Sequence, residues 1–128
     1  MFRALLAIAL LAALPLQAQE WPAKPVRMIV PFPPGGGTDT VARPLAAKLA
    51  QILGQQVVID NRGGAGATIG TDIAAKSPPD GYTLLLMTVT NAVGMGLYPN
   101  LKYNLVRDFA PVMQRDGGIR NRPYRRLP

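Results

Sequence analysis

The stretch from Val26 to Leu53 constrains the fold most. Val26-Arg27-Met28-Ile29-Val30 is a short β-branched run fenced by Pro25 and Pro31, and it reads as a strand. Phe32-Pro33-Pro34-Gly35-Gly36-Gly37-Thr38 can continue neither a sheet nor a helix, so it is a loop. From Asp39 to Leu53, apolar residues at 41, 42, 45, 46, 49, 52 and 53 trace one face of a 3.6-residue period, with Arg43, Lys48 and Gln51 away from it. Thr38 or Asp39 is expected to cap this helix and Gly54 to stop it. Pro44 is tolerable only near the helix start.

The pattern then repeats. Val57-Val58-Ile59-Asp60 is a second strand, Asn61 to Ala67 a glycine-rich loop, and Thr68 to Lys76 a short helix. Ser77-Pro78-Pro79-Asp80-Gly81 is a turn cluster before a third strand, Tyr82 to Met87. Strands alternating with helices predict an α/β fold, a parallel sheet joined by right-handed crossovers. The strands lack polar alternation, as expected where helices cover both faces.

The chain has 128 residues, which suits one domain, and contains no His and no Cys. Histidine-based triads, Cys-His nucleophiles, Cys/His zinc sites and disulfides are therefore excluded. No cofactor is expected. The net charge of +7 sits mostly at one end: residues 19–113 carry a net +2, whereas residues 114–128 hold five Arg and one Asp. Residues 1–18, with Arg3, an apolar run from Ala4 to Leu14 and Ala18 at a plausible cleavage point, read as a secretory signal. That run is shorter than the roughly 20 residues a spanning helix needs. Export without cysteine suits a bacterial periplasm.

In a parallel sheet of this kind, ligands bind beyond the carboxyl ends of the strands. Segments 31–39, 61–68 and 88–91 leave those ends. Gly35, Gly36 and Gly37, directly before a helix, can expose N–H groups where the helix dipole is positive, a cradle for a carboxylate or phosphate. The same residues also suit a tight strand-to-helix turn that binds nothing. Asp39 reads either as a helix cap or as a ligand contact, and Thr88, Thr90 and Asn91 offer hydroxyl and amide groups in the third loop. Asp60 and Asp72 read as structural or solvated.

Two rivals carry less of the pattern. Asp60 ends the second strand much as a ribose-binding acid does in a Rossmann-like nucleotide-binding enzyme, but G-x-G-x-x-G would need glycine where Thr40 stands. A nucleic-acid-binding protein would use the basic tail, yet that tail brings one aromatic residue, Tyr124, and no recognition helix. No nucleic-acid partner is expected.

Trp21-Pro22-Ala23-Lys24-Pro25-Val26-Arg27, Val30-Pro31-Phe32-Pro33-Pro34-Gly35-Gly36-Gly37-Thr38-Asp39, Asp60-Asn61-Arg62, Gly66, Pro79-Asp80-Gly81-Tyr82-Thr83-Leu84-Leu85, Leu97-Tyr98-Pro99 and Asp108-Phe109-Ala110-Pro111-Val112 occur in that order. Together they resemble the tripartite tricarboxylate transporter receptors, the Bug-type periplasmic solute-binding proteins, over residues 19–112. The resemblance implies part of lobe 1 of a Venus-flytrap fold, the type II periplasmic binding protein architecture. It implies a non-catalytic periplasmic receptor that holds a small carboxylate, an organic acid or amino acid, and delivers it to the membrane subunits of a tripartite transporter. The loops matching Phe32 to Asp39 and Thr88 to Asn91 would line the ligand cleft, partly through ordered water. The expected ligand contacts are Phe32, Pro34, Gly35, Gly36, Gly37, Thr38, Asp39, Gly66, Thr88, Thr90 and Asn91. The family favours Pro where Gly63 stands and Gly where Ala67 stands, so a methyl group enters the second loop.

The resemblance ends near Val112. Residues 113–128 form a divergent basic tail without apolar periodicity, expected to be disordered. Its Arg, Pro and Gly content is that of a GC-rich gene read out of frame, so a frameshifted or truncated copy is the expectation, with weak or absent ligand binding.

Overall fold

In a computed structural model that describes residues 20–113, β1 (Val26–Val30) runs through the middle of a three-stranded parallel sheet. β2 (Val57–Asn61) lies on one side of it and β3 (Thr83–Leu85) on the other. Val26 pairs with Val57 and Val30 with Asn61, while Arg27 pairs with Thr83 and Ile29 with Leu85. The signal reading over 1–18 and the tail reading beyond Met113 lie outside the described residues.

The strand order β2-β1-β3 explains how both faces are covered. The first crossover steps one way from β1, and the second returns across it to the far side. Right-handed connections then put α1 (Gly37–Leu53) and α2 (Thr68–Ala75) on opposite faces. On one face Met28 and Val30 pack with Ala42 and Ala46 of α1, joined by Leu45, Leu49, Ile59 and Leu84. On the other, fully buried Ile29 points toward α2. Gly70 lets α2 come this close: a Cβ there would lie 2.5 Å from the Arg62 carbonyl oxygen and 2.9 Å from Pro31 Cα.

Several boundaries differ from expectation. α1 begins at Gly37 with Gly36 as its N-cap and no side-chain cap bond, so Thr38 and Asp39 sit inside the first turn. Pro44 is consequently an interior helix residue, tolerated because it is exposed and water can serve the carbonyl it leaves unpaired. Gly54 closes α1 in the left-handed conformation at φ 66°, as expected. The third strand is shorter than expected. The segment 88–91 is not a loop, because α3 (Val89–Leu97) starts there, leaving Val89, Val93 and Leu97 as an exposed apolar stripe.

The entry into the sheet is pinned by aromatic contacts. Trp21 and Tyr82 stack obliquely at 6.0 Å, Lys24 sits 4.3 Å above the Tyr82 ring, and Ala23 N–H donates to the Tyr82 hydroxyl at 2.9 Å.

Candidate functional site

Because the three strands are parallel, their carboxyl ends share one edge of the sheet, and the segments after β1, β2 and β3 gather there. The first of these is held from within. Asp39, 2% exposed, accepts the Gly35 N–H at 3.0 Å, the Arg43 Nε at 2.8 Å and the Asn61 Nδ2 at 3.1 Å. The Gly35 amide, then Asn61, then Arg43 hold its carboxyl below the ordinary carboxylate range, against the opposing effect of burial. Asn61 Nδ2 also donates to the Phe32 carbonyl at 3.1 Å, tying the end of β2 to the loop after β1.

Two of the neighbouring amides are left free. Gly36 and Gly37 are exposed and Thr38 half-buried; the Gly36 N–H faces the Pro33 carbonyl across the turn at residues 34–35, whereas among the described residues the N–H groups of Gly37 and Thr38 meet no acceptor. They head a 17-residue helix, where unpaired N–H groups and the dipole both favour an anion. Gly35 takes φ 81° in the turn at residues 34–35, and its own N–H is bonded to the buried Asp39 carboxylate. Phe32 packs partly into the core and Pro34 is exposed on the loop's rim.

The second loop leans on the first. A Cβ on Gly63 would stand 2.9 Å from Pro33 Cδ, so this position has room only for a bare backbone. Ala65 at φ 46°, Gly66 at φ 62° and Ala67 at φ 72° turn left-handed in succession before α2. The Ala67 methyl is buried, so it does not crowd the solvent side of the loop. Gly66 is exposed beside the Tyr98 hydroxyl.

At the third position Thr88 caps α3. Asn91 Oδ1 accepts the Thr88 N–H at 2.8 Å and its hydroxyl at 3.0 Å, while Asn91 Nδ2 donates to Thr71 Oγ1 at 2.7 Å. The Thr71 hydroxyl donates onward to the Ala67 carbonyl at 2.7 Å. Asn91 is 1% exposed and Thr71 fully buried. Thus Asp39, read from the sequence as a cap or a ligand contact, braces the first loop from inside, and Asn91 braces the start of α3. Thr90 is exposed and Thr88 half-buried at the same edge.

Asn61, Gly70 and Thr71 have structural parts in this edge that sequence reasoning did not assign. The available signal for Asn61 was its place directly after an apolar strand, beside a glycine-rich loop. Asp60 is structural, as expected: Arg27 Nε and Arg62 Nε donate to it at 2.7 and 2.8 Å. Burial works against its charge, but the two arginines outweigh that and keep its carboxyl below the ordinary range. They line an open recess of about 380 Å³ with Pro25, Val26, Val58 and Ile59, to which none of the expected ligand contacts belongs.

Residues 41–117 match the family model described as the tripartite tricarboxylate transporter family receptor. Protein BugT of Bordetella pertussis is 54% identical over 102 residues, which cover 78% of this chain and 31% of BugT. The structure of MatC from Rhodopseudomonas palustris with bound malate superposes at TM-score 0.68 and 42% identity, over 72% of this chain and 32% of that one. The periplasmic binding protein BugD is 55% identical at TM-score 0.51, over 52% of this chain and 22% of that one. The chain spans about a third of the length of the relatives BugT and MatC. With sequence, family model and superposed structures in agreement, this chain belongs to the tripartite tricarboxylate transporter receptor family.

Proposed function

We propose that this chain forms part of the amino-terminal lobe of an exported solute receptor, and that its glycine loop receives the carboxylate of a small organic acid. The observation that carries the reading is the pair of unpaired N–H groups at Gly37 and Thr38, at the head of α1, beside the exposed turn at Gly35 and Gly36. Backbone donors of this kind favour an anion without fixing the rest of the ligand. Asp39 lies one residue further on, but its charge is paired with Arg43 and turned into the protein, so it does not repel an incoming carboxylate at contact. Phe32, Pro34, Gly66, Thr88 and Thr90 border the same edge and supply the walls and hydroxyl groups.

The relatives named with malate and adipate support a carboxylate as the ligand class. The apolar leader over residues 1–18 supports export to the periplasm, and family membership supports delivery to transporter subunits in the membrane. Binding needs neither a cofactor nor a reacting side chain.

The experiment is a malate titration of the isotope-labelled chain, read at backbone amides. The Gly37 and Thr38 signals are expected to move together and saturate. A response confined to other residues, such as Arg27 and Arg62, would overturn the assignment.

A further inference from the structure

We infer that Asn61 is the positioning residue of the glycine cradle: by donating to both Phe32 and Asp39, it fixes the β1–α1 loop in the shape that bonds the Gly35 N–H to Asp39 and leaves the Gly37 and Thr38 amides unpaired. The inference rests on the carboxylate reading for its purpose, though not for its geometry.

Three observations converge on it. First, both Asn61 bonds reach into the loop, one to the carbonyl at its entry and one to the carboxylate at its exit, each at 3.1 Å. A single side chain therefore spans the loop. Second, the bonds come from the last residue of β2, which pairs in register with Val30. The next residue, Arg62, donates its N–H to the Val30 carbonyl at 2.8 Å. The donor thus stands on the sheet, held in register against β1, and a positioning group must itself be held still. Third, Gly35 gives up its N–H to Asp39 at 3.0 Å, so an anion already fills the inner part of the cradle. Without Asn61, one carboxylate oxygen of Asp39 loses its neutral donor and becomes free to turn toward the exposed amides. There it would compete with a ligand. Arg43 is the charged group bonded to Asp39 among the described residues, and it is largely exposed, so it cannot replace a buried clamp.

The test compares the full chain with its Asn61→Ala variant by amide hydrogen exchange and pH titration, both without ligand. Exchange at Gly35 is expected to quicken about tenfold in the variant, and the titration midpoint of Asp39, read through the Gly35 amide, to move upward. A variant that loses stability while that midpoint stays put has lost packing alone, and the inference falls. An unchanged exchange rate also overturns it. Should Asn61→Ala not fold, the wild-type chain suffices: the Asn61 side-chain amide must titrate with the Gly35 amide at one shared midpoint, and separate midpoints refute the clamp. Malate is then added to both proteins, with a roughly tenfold weaker response expected from the variant. Equal affinities contradict the positioning role. Absence of any malate response in the wild type contradicts the carboxylate reading, which the ligand-free readouts do not depend on.

Discussion

Asn91 donates its side-chain amide to the hydroxyl of Thr71 at 2.7 Å, in a place closed to solvent on both sides. This one bond joins the start of α3 to α2, and the Thr71 hydroxyl passes it on to the left-handed turn at Ala67. Replacing Thr71 with Val keeps the shape and removes the acceptor. The Asn91 amide is then buried without a partner, at a cost of about 1–3 kcal/mol. Denaturant unfolding of Thr71→Val should show this loss; a change below about 0.5 kcal/mol, the usual range for an uninvolved surface site, would contradict the network.

Gly70 makes a different kind of demand. Its missing side chain is the space into which Arg62 and Pro31 fit, with a Cβ there only 2.5 Å from backbone oxygen. Backbone cannot move aside as a flexible side chain can. Gly70→Ala, ordinarily favourable in a helix, should here destabilise by about 1–3 kcal/mol through overpacking. A stabilised variant would mean that α2 stands off the sheet.

Ala65 carries the opposite prediction. It is exposed, and its φ of 46° suits glycine better than a residue with a Cβ. Ala65→Gly loses no buried methyl and relieves the strain, so stability should rise by about 1 kcal/mol. Thermal unfolding checks the sign.

Acid should release the glycine loop. Asp39 has a folded-state pKa lowered from an ordinary value of 3.8, so its contribution to stability is complete above that value. It is lost as pH falls through the lower, folded-state value. Between neutral pH and about 5 the Gly35 amide should therefore stay protected, and below 3.8 its protection should fall progressively. Protection that declines as pH rises from 5 to 7 would have the wrong sign for this carboxylate.

Sequence periodicity was enough to locate β1, α1, β2 and α2, because each shows its buried face locally: Met28 with Val30, and Ala42 with Ala46. α3 escaped notice. Gly94 and Gly96 weaken its helical signal, and its apolar residues at 89, 93 and 97 face outward rather than marking a core. The glycine cradle was legible as a composition, but which amides are free was not. That depends on Asp39 meeting Asn61 across 22 positions and on Gly35 turning inward. Likewise, nothing near Asn91 in the chain announces its bond to Thr71, 20 residues earlier.

The most direct measurement is a crystal structure of the chain grown with malate. A carboxylate oxygen is expected about 2.7–3.2 Å from the Gly37 and Thr38 nitrogens, with Asp39 still bonded to Gly35. Malate seated instead against Arg27 and Arg62, with the Gly37 and Thr38 amides facing only water, would contradict the carboxylate reading of the glycine loop.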